Sequence, residues 1–431
     1  MQIAFRPEIL TNGRLFAEEG SIWWAHSLNS NFLSTLFFIP PLTGYFLLNA
    51  NLLMLFTNLI PISYIALTTT WVSLLLHTQI AFVSLVLTKG REWKYRILCF
   101  SILLFSPIFS DPESFANSIN SQTYLALVPI IYLALWTVPH SFISRVYIYT
   151  LMFLSFFSGW YGAILFPLFL IRYFLGDRSK FHKLVVGVSF FGFCTQIFTY
   201  IYQIRNDLLW PNKGRLKFDY REISLDFLSI LKFSFTGVQG FSSINPLQLC
   251  LTVTILILAT MRYFSSNQPK PKFIFKENKF VWLACAFAVE YSLVYVGDAE
   301  PGTGLSGRYL IVPSGILVLF LAIYFADNLA QISSKSVLAF IAIIQFMLST
   351  LHFSMSSSHP LLRCSMPCLT WKQNVDMVAS KESSAYYFWP FNEGNPNWAI
   401  SAVQPKVRLA PFQSEKMGLV SEDLPPMVLK D

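Results

Sequence analysis

Charge is the first shortage in this chain. Only 13% of its 431 residues are Asp, Glu, Lys or Arg, about half the share of an ordinary globular domain. Hydrophobic residues make up 54%, and Phe alone occurs 42 times, too many for one water-soluble core. Cysteine is also scarce. Cys99, Cys194, Cys250 and Cys285 lie in or beside apolar stretches and read as small packing residues. Cys364 and Cys368 stand in a polar tail. They are too few for a structural zinc site but make a small disulfide plausible if that tail is extracytoplasmic. The sequence has no HExxH, GxSxG or Cys/His cluster, and the glycines of 297–314 lack a P-loop lysine, so zinc peptidase, serine hydrolase and P-loop chemistry have no support. The six histidines are scattered. No nucleic-acid motif accompanies the formal charge of +8, and cations in membrane-flanking loops explain that charge better. No cleavable signal peptide is expected, because "QIAFRPEILTNGRLFAEEG" has no apolar core.

What remains is a succession of apolar segments, the mark of an all-α integral membrane protein. Spans are expected near 64–88, 97–110, 123–138, 145–158, 160–174, 184–203, 246–264, 280–296, 309–325 and 335–351. The pair flanking "SGWYG" could be two half-helices dipping in and out. The cation-rich loops "KGREWKYR" (89–96), "RYFLGDRSKFHK" (172–183) and "RYFSSNQPKPKFIFKENK" (262–279) belong inside by the positive-inside rule. With ten crossings, the N-terminal segment, the loops 110–122, 204–245 and 298–307, and the tail then face outward. Three units follow: an outer acidic loop with interfacial helices (1–62), a transmembrane helical domain (63–351) and an extracytoplasmic tail or small domain (352–431). Residues 32–60 are apolar but broken by Pro40, Pro41, Gly44, Asn49, Asn51, Asn58 and then Pro61. This favours short interfacial helices, although two more crossings would also preserve the parity.

Outward polar residues come from three places. The first is "GRLFAEEGSIWWAHS" (13–27), with Glu18 and Glu19. Neighbours on a helix point about 100° apart, so one of the two at most aims into a given site. A carboxylate in an apolar cleft suits general base work, whereas acids at a solvated helix start are the commoner origin of such a pair. The second is "SDPESFANSINSQTYLAL" (110–127). Its Asp111 and Glu113 form a D-x-E pair able to hold a divalent cation, and a capping role also accounts for Asp111. Asn117, Asn120 and Gln122 follow at roughly helical spacing, and amides suit sugar hydroxyls. The third is "GDAEPGTGLSGRYLIVPS" (297–314), where Arg308 and Tyr309 re-enter the apolar region. Such an arginine can clamp a lipid phosphate or simply snorkel as an anchor.

"RPEILTNGRLFAEEGSIWWAHS", then "DPESFANSINSQTYLAL" and later "GRYLIVP" together resemble bacterial polytopic membrane glycosyltransferases of the GT-C superfamily. That group includes O-mannosyltransferases, aminoarabinose transferases and O-antigen glucosyltransferases. The resemblance implies a polyprenyl-phosphate sugar donor and an extracytoplasmic glycan, lipid or protein acceptor, with transfer at the outer face of the bacterial cytoplasmic membrane. It implies Glu19 as catalytic base with Glu18 in support. Glu113, Asn117, Asn120 and Gln122 would bind substrate, and Arg308 with Tyr309 would hold the donor phosphate. A metal at Asp111 and Glu113 is an open alternative, since donors of this kind commonly need none. The family has a transmembrane helix ahead of its acidic loop, whereas this sequence opens at the loop. The resemblance therefore implies either a longer native chain or a degenerate member. Two other functions fit the same composition: a flippase or exporter of lipid-linked sugar, and a non-catalytic partner in polysaccharide assembly.

Overall fold

The computed structural model describes residues 10–206, apart from 12, 14, 16–18, 41–42, 105 and 107–116. It also describes 208, 220–236, 278–297, 307–328, 370–381, 385–387, 399–401 and 407–408. The chain is all-α in its bulk. After a π-helical turn, Glu19–Trp24, come three short helices: α1 (Ala25–Leu28), α2 (Phe32–Leu36) and α3 (Leu48–Thr57). The bundle follows as α4 (Ile65–Leu87), α5 (Trp93–Leu104), α6 (Ser121–Leu135), α7 (Phe142–Phe156), α8 (Trp160–Ala163), α9 (Phe166–Leu175) and α10 (Lys180–Arg205). It continues with α11 (Tyr220–Thr236), α12 (Lys279–Gly297) and α13 (Ile311–Asn328). The tail adds α14 (Trp371–Ala379) and a small antiparallel sheet in the order β1 (Ala385–Tyr387), β2 (Ala399–Ser401), β3 (Val407–Arg408). Ala385 registers with Ser401, and Ala399 with Arg408.

Helices coincide with the expected apolar spans except 246–264 and 335–351, which lie outside the described residues. Among the described residues, two helical stretches are long and apolar enough to cross a membrane, Ile62–Leu87 and Lys180–Arg205, each of 26 residues. At 1.5 Å per residue each reaches about 39 Å, beyond the roughly 30 Å hydrocarbon layer. The apolar helices Ser121–Leu135, Phe142–Phe156 and Ile311–Tyr324 are shorter. Helix α11 falls within 204–245, expected as a loop. Its buried face carries Asp226, Ser229, Ile230, Phe233 and Ser234, while Phe227 and Leu228 are exposed. That pattern is the reverse of the one by which a helix in water is recognised.

The same inversion governs the long helices. The buried stripe of α10 contains His182, Ser189, Gly192, Gln196, Thr199 and Gln203, while Phe191 is 63% and Phe198 68% exposed. In α4 the buried face includes Thr69, Thr70, Ser73, His77 and Ser84, and Trp71, Leu75 and Phe82 face outward. Less than half of either stretch is buried. Helix α6 is the opposite case. It is buried at every position from Ser121 to Ala134, as expected of an apolar helix at the centre of a bundle. Around it gather α4, α7, α9, α12 and α13 to make the main core.

The two ends of the bundle differ. At one end, Arg91 and Lys279 lie over the Tyr95 ring, Lys279 pairs with Asp327, and Thr137 Oγ1 donates to Leu87 O at 3.1 Å. The cation-rich loops 89–96 and 172–183 both border the 136–140 connection, through Leu87 O with Thr137 and through Trp136 Nε1, which donates to Asp177 O at 3.3 Å. At the other end, the N-terminal segment folds over the helix termini as a cap. A second core joins Leu15, Trp23, Trp24, Leu47, Leu53 and Met54 to Ile119 and to Trp371 of the tail. Trp24 meets Trp371 edge-to-face at 5.5 Å, and Trp371 Nε1 donates to Ile62 O at 2.7 Å.

Candidate functional site

The breaks in 32–60 are what build the cap. Pro40 and Gly44 leave backbone groups that a buried segment must satisfy elsewhere, whereas Asn49 and Asn51 stand inside α3 and contribute through their side chains. Two glutamines of α10 take on much of that task. Gly44 N donates to Gln203 Oε1 at 2.7 Å, and Gln203 Nε2 donates to Pro40 O at 2.7 Å. Gln196 accepts from Phe46 N at 2.9 Å and donates to Phe46 O at 3.1 Å. Asn51 Nδ2 donates to Leu36 O and Phe38 O, and Asn58 Nδ2 donates to Ser27 O. The connection between α7 and α8 joins the cap through the Leu47–Ser158 bridge and through Gly159 N donating to Phe46 O at 2.8 Å.

Inside this cap lies Glu19, fully buried in the first turn of the π-helix. Its Oε1 accepts from the Ser118 backbone N at 3.2 Å and from the Ser118 hydroxyl. The acidic motif and the 117–122 turn, 99 residues apart, are thus joined by a carboxylate with paired donors. Ser118 also receives the cap on its carbonyl side, where Asn49 Nδ2 donates to Ser118 O and to Ser121 Oγ, both at 2.8 Å. Asn49 N in turn donates to Ser158 Oγ at 3.0 Å. Asn49 Oδ1 is buried with no hydrogen-bond partner among the described residues. It is an acceptor left unsatisfied within the cap.

Asn117, Asn120 and Gln122 are all buried beside this junction. Asn117 Oδ1 accepts from Ile119 N at 3.0 Å and from Asn120 N at 3.5 Å, so it shapes the turn that presents Ser118. Gln122 lies against Gly159, whose φ of 87° is left-handed. A β-carbon at 159 would overlap Gln122 Oε1 and sit 3.0 Å from Cδ. Tyr309 is half-buried against the main core, in the 3-10 turn Gly307–Leu310 that leads into α13. Glu18, Asp111, Glu113, Cys364, Cys368 and the Arg308 side chain lie outside the described residues.

No family model, curated protein or solved structure matches the chain.

Sequence reasoning singled out the amides and missed Ser118, Ser121, Ser158 and the role of Asn49. Serines are common in apolar helices, and nothing local sets these apart. Among the described residues no group of three His, Cys, Asp or Glu side chains gathers as a metal site. What the arrangement offers is a carboxylate sheltered from water, oriented by two donors, beneath a roof of short helices and tryptophans. Such a carboxylate can take a proton from a hydroxyl brought against it.

Proposed function

We propose that this chain is an integral membrane glycosyltransferase. It transfers a sugar from a polyprenyl-phosphate donor to an extracytoplasmic glycan, lipid or protein acceptor, with Glu19 as base. The observation that carries the reading is the buried Glu19–Ser118 junction, which brings the acidic motif to the amide-bearing turn. The inverted faces of α4 and α10, apolar outward and polar inward, support a lipid surround. Ten crossings in a bacterial cytoplasmic membrane, with the capped end outward and the cation-rich end inward, complete the reading.

In this mechanism the acceptor hydroxyl gives its proton to Glu19 as its oxygen attacks the anomeric carbon. The polyprenyl phosphate leaves with the bonding electron pair, and the anomeric centre inverts. Arg308 and Tyr309 hold the departing phosphate. Gln122, Asn120 and the unpartnered Asn49 Oδ1 bind sugar hydroxyls, with Glu18 in support of Glu19 and Glu113 as a further substrate ligand. The test is transfer of radiolabel from defined polyprenyl-phosphate sugars to membrane acceptors by the purified protein. Glu19→Gln should fold and lose at least a hundredfold in turnover, the lower range for a general base. Wild-type turnover in that variant overturns the assignment.

One observation favours transport of a lipid-linked sugar as the second reading. Glu290 in α12 is fully buried, and neither carboxyl oxygen has a hydrogen-bond partner among the described residues. An ionisable group in such a place commonly marks a translocation path. Glu290→Gln should leave transfer untouched if the chain is a transferase, and should abolish movement of the lipid-linked sugar if it is a flippase.

A further inference from the structure

The cation-rich end of the bundle holds a cluster that the transferase reading leaves unused. His182, in the first turn of α10, stacks on Trp136 with ring centroids 4.4 Å apart and planes 11° from parallel. The Arg172 guanidinium lies 5.7 Å from the Trp136 ring and 4.8 Å from the Trp282 ring. The Tyr132 ring meets His182 edge-on at 5.9 Å. Four helices, α6, α9, α10 and α12, therefore converge on one spot.

Two polar atoms there are left over. Tyr132 Oη and His182 Nε2 are buried with no hydrogen-bond partner among the described residues, and their residues are 0% and 1% exposed. Each such group costs roughly 1–3 kcal/mol if nothing fills it. The chemistry of the missing partner follows from the donors. Ser179 Oγ accepts from His182 N at 3.2 Å and stands 3.0 Å from Nδ1. In the tautomer with the ring proton on Nε2, where Ser179 Oγ donates to Nδ1, Nε2 is a donor, and a bound anion selects that tautomer. Tyr132 supplies an O–H, and Arg172 a fixed positive charge. The 26-residue helix α10 adds its N-terminal dipole. Arg178, Lys180 and Lys183 surround the spot in sequence and raise the local concentration of anions. Asp177 is the opposing charge, but it lies 3.6 Å from Nδ1 with its side chain 69% exposed, on the ring edge away from Nε2. Arg172 and Trp136 are themselves buried, at 5% and 8% exposed.

We propose that Tyr132, Arg172 and His182 form an anion site for a phosphate group, carried by a phospholipid headgroup or free in solution. A tetrahedral anion offers acceptors in several directions at once, which suits donors arriving from three helices. The site lies at the end of the bundle opposite Glu19 and does not depend on the transferase reading.

The test uses the purified full-length protein. Its thermal midpoint is followed against inorganic phosphate, with chloride at equal ionic strength as control. It is then measured in nanodiscs of phosphatidylcholine with and without phosphatidylglycerol. Ligand binding to the folded state raises the midpoint. Tyr132→Phe, which keeps the ring, should weaken the apparent affinity about tenfold, as expected for a bond to a charged group. Arg172→Gln should abolish the response. A response to phosphate alone identifies a free-anion site, and a response to phosphatidylglycerol alone identifies a headgroup site. Either supports the proposal. A flat wild-type response, or one that Tyr132→Phe leaves unchanged, overturns it, and the Phe variant decides the matter even if Arg172→Gln fails to fold.

Discussion

Gly159→Ala tests the geometry of the capped end without reference to any substrate. Gly159 adopts φ of 87°, and a β-carbon there would overlap Gln122 Oε1. Holding alanine at φ 87° and ψ 178°, a region essentially reserved to glycine, costs about 1–3 kcal/mol. Gln122 is 4% exposed, so moving its amide aside strands a buried polar group at about 1–3 kcal/mol more. The expected loss is therefore about 2–6 kcal/mol, read by denaturant or thermal unfolding of the purified protein. A double-mutant cycle separates the terms. In the Gln122→Ala background the clash is absent and only the backbone cost should remain, so the two substitutions must couple by about 1–3 kcal/mol. A loss below about 0.5 kcal/mol for Gly159→Ala, or strict additivity with Gln122→Ala, would refute the proposed approach of 159 to 122.

Ser118→Ala removes the hydroxyl that donates to Glu19 and leaves the amide donor in place. It should cost about 1.5–3 kcal/mol, a hydrogen bond to a charged group, and much less in a Glu19→Gln background by the same unfolding assay. Gln203→Leu strands Gly44 N and Pro40 O, so about 2–4 kcal/mol of stability should be lost, with proteolysis of intact protein increasing first within residues 38–47. His26 is half-buried and stacked on Phe38 at 3.7 Å. Desolvation holds its pKa below the usual 6.5, partly offset by the Ser34 carbonyl. The folded state thus prefers the neutral ring, and the contribution to stability is complete above pH 6.5 and fades as pH falls through the folded-state value. The thermal midpoint should drop between about pH 7.5 and about pH 5.5, and by less in His26→Phe.

Several features are legible in the amino-acid sequence alone. The low charge and the apolar runs are sums over residues, so they identify an apolar, helical chain whatever its packing. The Pro, Gly and Asn breaks of 32–60 act locally, and short helices form there. The acidic motif and the 117–122 stretch are expected on one face because loop charges alternate along the chain. Which atoms meet is not legible in this way. Helix α11 escapes a sequence reading because its buried face mixes Asp226, Ser229 and Ser234 with Ile230 and Phe233 while Phe227 and Leu228 are exposed, so the usual periodicity is blurred.

The sequence by itself determined that this chain is built of apolar helices with polar turns between them, and it left Glu19 open between a solvated helix start and a sheltered base. Only the tertiary structure decided that Glu19 meets Ser118, that Asn49 holds the other side of that serine, and that Gly159 must lack a side chain. The physical reason is range. Burial and helix formation follow from neighbours a turn away. A hydrogen bond across 99 residues depends instead on helix lengths, crossing angles and the path of a cap pinned by Gln196 and Gln203, quantities to which every packed side chain contributes and which no local pattern encodes.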